Sequence, residues 1–137
     1  MKKIIIFLIA FSQLYVPIIT SNSYAKHLHK ERVYQEYWAE KNNAVAIEYI
    51  LPDRARVDIV TEEYAIEVDF AYKWAEAVGQ SLYYAEMMKL KPGIVLIVED
   101  IKKFKLVFRL KVLTEKYNIR LWIITPDDLD FSVMENK

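Results

Sequence analysis

The 137-residue chain has 19 basic and 19 acidic side chains, two His and no Cys, and its length suits a single domain. With 54% apolar residues, only two Gly and four Pro, the composition excludes a disordered, collagen-like or linker chain. The lack of Cys excludes disulfides, cysteine-ligated zinc, iron–sulfur clusters and thiol nucleophiles, and zero net charge means that nucleic-acid binding would need a local basic patch.

The N-terminal residues have the layout of a secretory signal peptide. Two lysines precede a largely apolar stretch over residues 4–19, and the small residues Ser23 and Ala25 stand at the minus-three and minus-one positions of a cleavage site. We therefore expect residues 1–25 to be removed and the protein to be exported, either to the periplasm or out of the cell. An uncleaved N-terminal membrane anchor is the alternative, although Pro17 interrupts the apolar stretch.

Cleavage after residue 25 would change the charge balance of the chain. Residues 1–25 contain two lysines and no acid, so 17 basic and 19 acidic residues remain, with a net charge of −2. The remaining chain is predicted to form one domain over 26–125 and a loosely held acidic tail over 126–137. We expect no membrane contact once the signal peptide is removed.

The predicted domain alternates helical and strand-like segments. Helices are predicted over 27–41, 71–89 and 102–117, strands over 44–51, 54–61, 64–69, 94–98 and 119–125, and turns at 52–53 and 91–93. A helix between the third and fourth strands implies a parallel, right-handed crossover. The uninterrupted apolar run over 94–98 fits a central strand that is covered on both faces. The predicted class is α/β, with a mixed sheet packed against helices.

Three acidic residues are predicted to converge on two neighbouring strands. Apolar and polar residues alternate over 56–60 and 64–69, and the apolar set is Val57, Ile59, Ile66 and Val68. If that set faces the core, Asp58, Glu67 and Asp69 gather on the opposite face. Close carboxylates repel one another unless a hard cation such as Mg²⁺ lies between them. An ordinary hairpin with a solvated outer face would show the same alternation and is the alternative interpretation.

The next helix adds a polar stripe beside these acids. Lys73, Glu76, Gln80 and Tyr84 fall in one sector of the helix, next to a predicted core stripe at 74, 78, 81, 85 and 88. Because the helix begins just after Asp69, Lys73 lies about one turn from the carboxylates. A cation, an acid, an amide and a phenol therefore adjoin the predicted metal site.

Two segments resemble the PD-(D/E)xK nuclease superfamily. Residues 56–69, RVDIVTEEYAIEVD, resemble its core motif, an Asp on one strand followed by Glu-x-Lys on the next. Residues 79–85, GQSLYYA, look like the Gln-x-x-x-Tyr helix motif of RecB-type members. The resemblance covers roughly residues 34–125 and implies a restriction-endonuclease-like core. That core is a helix, a three-strand antiparallel meander, a right-handed crossover helix, and then strand, helix and strand in a mixed sheet.

The resemblance also implies roles for individual residues. Asp58 and Glu67 would bind Mg²⁺ or Mn²⁺ with help from the carbonyl of Val68, and Gln80 and Tyr84 would position the nucleic-acid substrate. The implied activity is metal-dependent hydrolysis of phosphodiester bonds in nucleic acid, with DNA favoured over RNA. The alternative is a relative of the same fold that binds nucleic acid or protein without catalysis.

The sequence departs from the family motif at one position. Asp69 stands where the family has the Lys of Glu-x-Lys, so the cation that helps to orient the attacking water is missing there. We expect Lys73, whose side chain is long, to deliver an ammonium group to the same place and Asp69 to assist in catalysis. An outward-facing Lys73 would favour the non-catalytic alternative.

For several other charged residues, a structural role is weighed against a functional role. Glu36 on the first helix is a possible additional metal ligand, although a surface glutamate is the favoured interpretation. We expect Glu48 to pair with Arg56. The basic residues of the last helix could follow a phosphate backbone, but a solvated helix face is the default explanation. They are Lys102, Lys105, Arg109 and Lys116.

Overall fold

The computed structural model describes residues 27–129 of the chain. The predicted signal peptide and residues 130–137 of the predicted tail lie outside this range. The first residues of that tail belong to the folded part, because Pro126–Asp128 forms a 3₁₀ turn and Leu129 packs against the core. None of the helices within 27–129 is long and apolar enough to cross a membrane.

Within residues 27–129, three α-helices and five strands form an α/β structure. In chain order they are α1 Glu31–Lys41, β1 Ala46–Ile50, β2 Arg56–Val60, β3 Tyr64–Phe70, α2 Trp74–Met88, β4 Lys91–Ile97, α3 Phe104–Lys116 and β5 Arg120–Ile124. Short 3₁₀ turns at Ala71–Lys73 and Ile101–Lys103 lead into α2 and α3. The predicted order of helices and strands and the α/β class are confirmed.

The strands form one mixed sheet in the order β1-β2-β3-β4-β5. The first three strands pair antiparallel as a meander, and β4 pairs parallel with both β3 and β5. The helices α2 and α3 connect the parallel strands, since such strands need a long connection between their ends. The predicted mixed sheet is therefore present.

The core lies on both faces of this sheet. On one face α1 packs through Tyr34 and Trp38 against a cluster that includes Ile66 and Val95. On the other face α2 and α3 pack against a second cluster, which includes Ile94. The apolar run of β4 is buried because each of its two faces meets a helical layer.

The clearest differences from the prediction are at the starts of β4 and α1. The segment 91–93, predicted as a turn, is the start of β4 and pairs with the start of β3. Pro92 is tolerated there because β5 pairs with β4 only from Gly93 onward, so Pro92 has a strand on one side alone. The first helix begins at Glu31 rather than at residue 27.

The segment before α1 is held in place by Glu99. Its carboxylate accepts hydrogen bonds from His27 Nδ1 at 2.8 Å, from the Leu28 amide at 3.0 Å and from the Tyr34 hydroxyl at 2.8 Å. The His27 ring stacks on Phe70 with centroids 3.6 Å apart. These contacts fix residues 27–30 as a bent, non-helical lead into α1.

We expect Gly93→Ala to destabilise the protein. A Cβ at this position would lie 2.8 Å from Trp122 Cζ3 and 3.0 Å from Ile66 Cγ1, so the indole ring would have to move. The free energy of unfolding, measured by urea denaturation, should fall by about 1–3 kcal/mol. Gly79→Ala is the matched control, because nothing lies within 4 Å of its Cβ and Ala favours a helix. Equal losses in the two variants would contradict this account.

Candidate functional site

The site begins at a gap between β2 and β3. The two strands pair only at Ile59↔Ile66 and Val60↔Ala65. Beyond this point the Asp58 side chain replaces the backbone partner, and its Oδ2 accepts the Val68 amide hydrogen bond at 2.9 Å. Gln35 on α1 donates to the Asp58 carbonyl at 2.8 Å. Asp58 is therefore fixed through both its backbone and its side chain.

The regular alternation that was predicted along β2 is wrong at this position. Val57 packs with Ala65 and Tyr84 on the α2 side, whereas Ile59 packs on the α1 side. On β1, the residue opposite Asp58 is Glu48, which has a left-handed φ of 52°. The break in alternation turns the Asp58 carboxylate sideways toward β3, which regular pleating could not do.

Glu67 and Asp69 are the buried acids of β3. They are 5% and 2% exposed, and they project toward α2. Asp69 Oδ1 accepts from the Phe70 amide at 2.9 Å and lies 3.3 Å from Lys73 Nζ. Glu67 Oε2 is buried and has no hydrogen-bond partner within residues 27–129. A buried oxygen without a partner is costly, so this atom is open to a proton or a cation.

These acids line a cavity of about 530 Å³. All six predicted site residues lie along it: Asp58, Glu67, Asp69, Lys73, Gln80 and Tyr84. Five further residues complete the lining, namely Glu31, Ile50, Arg54, Arg56 and Glu76. The polar stripe of α2 therefore faces the acids of β2 and β3 across one cavity.

Glu31 is an acid of the cavity that sequence reasoning missed. It is the first residue of α1, and burial, followed by the charges of Asp69 and Asp58, raises the pKa of its carboxyl to about 7. Glu36, the acid considered from the same helix, pairs instead with Arg32 at 2.6 Å and does not line the cavity. The sequence carries no signal that separates the two, because the docking of α1 on the sheet decides which one reaches the site.

The cavity buries several carboxyl groups close together, and this raises their pKa values. Burial, followed by the charges of Asp58 and Asp69, raises the pKa of Glu67 to about 9. Burial also raises the pKa of Asp58 and that of Asp69, although the Val68 amide and Lys73 partly oppose the two shifts. Full ionisation of these carboxyl groups at neutral pH is therefore unfavourable unless a cation is bound in addition to Lys73.

Lys73 supplies positive charge beside these acids. Partial burial on its own lowers the pKa of the Lys73 ammonium, but the neighbouring Asp69 carboxylate outweighs it, and the net pKa is raised. The ammonium group thus stays protonated at neutral pH. Lys73 points into the cavity rather than away from it.

Gln80 and Tyr84 form the far wall of the cavity. Gln80 Nε2 donates to the Tyr84 hydroxyl at 3.3 Å across one turn of α2. Tyr84 is 6% exposed, and burial raises the pKa of its phenol. Arg56 also lines the cavity. It lies 3.8 Å from Glu48, and the two residues form the pair that was predicted.

The donor set fits a hard divalent cation. Within residues 27–129 no three acidic or histidine side chains are already arranged as a ligand cluster. Asp58 and Asp69 each accept a hydrogen bond from a backbone amide. The donors are nonetheless carboxylate oxygens, which Mg²⁺ and Mn²⁺ prefer. The unpartnered Oε2 of Glu67 is the atom best placed to gain from such an ion.

Comparisons with protein-family models, with curated proteins and with solved structures found no match to this chain. The likeness to the nuclease superfamily therefore rests on the motifs of the sequence. The chemistry of the site is argued from the residues that line the cavity.

We expect the metal-free protein to lose stability as the pH rises from 5 to 9. The pKa of Glu67 is about 9 in the folded state against 4.5 as the ordinary value, so the folded state binds more protons between these limits. The stabilising contribution is complete below about pH 4.5 and is lost as the pH approaches 9. Urea denaturation in EDTA at pH 5.5 and 8.5 measures the loss.

Glu67→Gln is the control for this pH dependence. It keeps the shape of the protonated side chain and cannot ionise, so its stability should fall less between the two pH values. Mn²⁺ should restore stability to the wild type at pH 8.5 more than to the variant, because the ion favours the ionised carboxylate. Identical pH profiles for the two proteins would contradict the buried-acid interpretation.

Proposed function

We propose that this protein is a metal-dependent nuclease of the PD-(D/E)xK type, which hydrolyses phosphodiester bonds in nucleic acid, with DNA as the first candidate. The observation that carries the proposal is the buried Glu67 carboxylate, whose Oε2 has no partner beside Asp58, in a cavity that also contains Lys73. A protein that needed these residues only for stability would gain more from apolar side chains of similar volume.

The topology supports the proposal. A helix, an antiparallel three-strand meander, a crossover helix and a strand–helix–strand unit follow one another in this chain. This is the element order that the resemblance implies. Parallel crossovers are almost always right-handed, as in a restriction-endonuclease-like core. The motif Asp lies at the β2–β3 gap and the motif Glu lies on β3.

The metal would be held by Asp58 and Glu67, with the Val68 carbonyl as a third donor and with Glu31 and Asp69 nearby. When bound, Mg²⁺ or Mn²⁺ supplies a Lewis acid that lowers the pKa of water and offsets negative charge on a phosphate. The amide of Val68 keeps Asp58 oriented, and the low exposure of Glu67 keeps bulk water away from its carboxylate.

Lys73 would replace the missing lysine of the motif. Its ammonium group holds a proton at Nζ, lies 3.3 Å from Asp69, and faces the cavity from the first turn after β3. In this position it can orient a water and offset the charge that develops on the substrate. This geometry supports the enzyme over the non-catalytic alternative, which would leave Lys73 facing solvent.

The substrate would lie between α2 and the β1–β2 end of the cavity. Gln80 and Tyr84 offer an amide and a phenol on one side, and Arg54 and Arg56 offer guanidinium groups on the other. Arginine binds phosphate oxygens in a bidentate manner, so these two residues suit a nucleic-acid backbone. The predicted export of the chain places this proposed activity outside the cytoplasm.

We expect Glu67→Ala and Lys73→Ala to abolish cleavage. Glu67→Ala removes a proposed metal ligand and Lys73→Ala removes the proposed cation beside the phosphate, so the rate with Mg²⁺ or Mn²⁺ should fall at least about 100-fold in each variant. The assay measures cleavage of single- and double-stranded DNA and RNA in Mg²⁺, Mn²⁺ or EDTA. Lys41→Ala is the matched control, because Lys41 lies at the end of α1, outside the cavity lining.

The outcomes separate the two functions. Metal-dependent cleavage by the wild type and by Lys41→Ala, with loss in both site variants, supports the nuclease. A folded wild type that cleaves none of the four substrates overturns the nuclease proposal. Retention of nucleic acid in a gel-shift assay would then favour the binding alternative.

We expect Glu31 rather than Glu36 to contribute to metal binding. Glu31→Gln should raise the Mn²⁺ concentration for half-maximal thermal stabilisation by about tenfold, because it removes a carboxylate next to Asp69 and Asp58. Glu36→Gln should leave that concentration unchanged, since Glu36 is occupied by Arg32. The same shift in both variants would indicate a general charge effect instead of a site effect.

A further inference from the structure

Helix α3 carries an apolar stripe on its outer face in addition to its buried inner face. Its inner residues Val107 and Leu110 are buried in the core. On the outside, Phe108 and Val112 are 69% and 66% exposed, Phe104 is 36% exposed, and Ile101 in the preceding turn is 81% exposed. Phe104, Phe108 and Val112 are spaced four residues apart, so with Ile101 they form a continuous outer stripe. Proteins in water rarely expose such a stripe without a partner.

The outer stripe is bordered by positive charge. Between residues 101 and 116 there are six basic residues, all exposed, and Glu115 is the one acid. The basic residues are Lys102, Lys103, Lys105, Arg109, Lys111 and Lys116. Lys105 and Arg109 lie three residues before Phe108 and Val112, so their side chains border the stripe. This face therefore combines exposed aromatic and aliphatic groups with a strong local excess of cations, although the whole chain has no net charge.

The N-terminal part of the chain joins the domain close to the start of this stripe. His27 and Leu28 are tied to Glu99, which precedes Ile101 by two residues. The apolar residues 4–19 are joined to His27 by eight peptide steps, which span no more than about 28 Å. The apolar N-terminal sequence is thus attached to the domain close to the point where the outer stripe begins.

We propose that the outer stripe of α3 is a docking surface for an anionic phospholipid membrane. Phe108 and Val112 would enter the boundary between headgroups and acyl chains, and the bordering Lys and Arg side chains would pair with lipid phosphates. A helix that lies in the interface with an apolar centre and basic flanks has this composition. The docking surface belongs to the domain itself, so in this proposal it operates with or without residues 1–25. The proposal differs in this respect from the expectation of no membrane contact after signal cleavage.

Other occupants fit the outer stripe less well. A second copy that bound through the same face in a two-fold dimer would bring twelve basic residues together against two acids, which is strongly repulsive. A nucleic acid would satisfy the cations but would leave Phe108 and Val112 against charged phosphates. An anionic membrane satisfies both the charged and the apolar groups.

The test places a label on the stripe and a matched label far from it. The chain has no Cys, so Val112→Cys and Val45→Cys each give a single site for a polarity-sensitive fluorophore. Val112 and Val45 are both 66% exposed, and Val45 lies at the opposite edge of the sheet, just before β1. The full chain is mixed with vesicles of phosphatidylglycerol and phosphatidylcholine, some of which carry brominated acyl chains.

We expect the label at position 112 to shift to shorter wavelength on anionic vesicles and to be quenched by brominated lipid, while the label at 45 stays unchanged. The shift should be absent on pure phosphatidylcholine and should weaken with added salt. Adding Lys105→Glu and Arg109→Glu to the Val112→Cys protein should weaken binding about tenfold or more. These substitutions lie on the solvent side of α3, and circular dichroism checks that the fold is kept.

Each other outcome overturns the proposal. A vesicle-bound chain whose label at 112 stays in water is attached through its N-terminal residues alone. Equal shifts at 112 and 45 indicate non-specific adsorption. A shift at 112 caused by duplex DNA but not by vesicles assigns the face to nucleic acid, and a shift that grows with protein concentration without lipid assigns it to a second copy.

Discussion

The hydrogen bond from the Val68 amide to the Asp58 carboxylate is the contact on which the site depends. It replaces a rung of the antiparallel ladder with a side chain, so β2 and β3 separate just where Glu67 and Asp69 begin to face α2. Regular pairing would place the Asp58 side chain on one face of the sheet, away from the edge of β3. The left-handed backbone of Glu48 on the neighbouring strand accompanies this departure.

Where the two strands separate, four buried or partly buried carboxyl groups lie close together with too little positive charge to balance them. Burial and mutual repulsion raise the pKa values of Glu31, Asp58, Glu67 and Asp69, while Lys73 is the ammonium that lies among them. Natural cores avoid such groupings because each uncompensated buried charge costs several kcal/mol. A site of this kind is stable with protons at low pH and with a cation at higher pH, which is why it suits metal-dependent chemistry on phosphate.

Much of the fold could be predicted because hydrophobic periodicity is a local property. The run over 94–98 required a strand with two covered faces, and the spacing of apolar residues over 74–88 required a helix with one buried stripe. The start of β4 could not be predicted, because Lys91, Pro92 and Gly93 have the composition of a turn. They are strand residues only because β3 lies alongside to pair with them. The first helix begins at Glu31 because Glu99, far away in sequence, holds the preceding residues in a bent, non-helical conformation.

For the site, the sequence by itself determined the chemical inventory: two acids at motif spacing, a third acid in place of a lysine, and Lys73, Gln80 and Tyr84 on the next helix. It also determined the lack of Cys and the lysine-rich last helix. Only the tertiary structure decided that Glu31 and not Glu36 reaches the cavity, that Lys73 turns inward, and that Phe108 and Val112 are left exposed. Periodicity fixes which residues share a face of one element, but the packing of elements on the sheet sets the distances between faces.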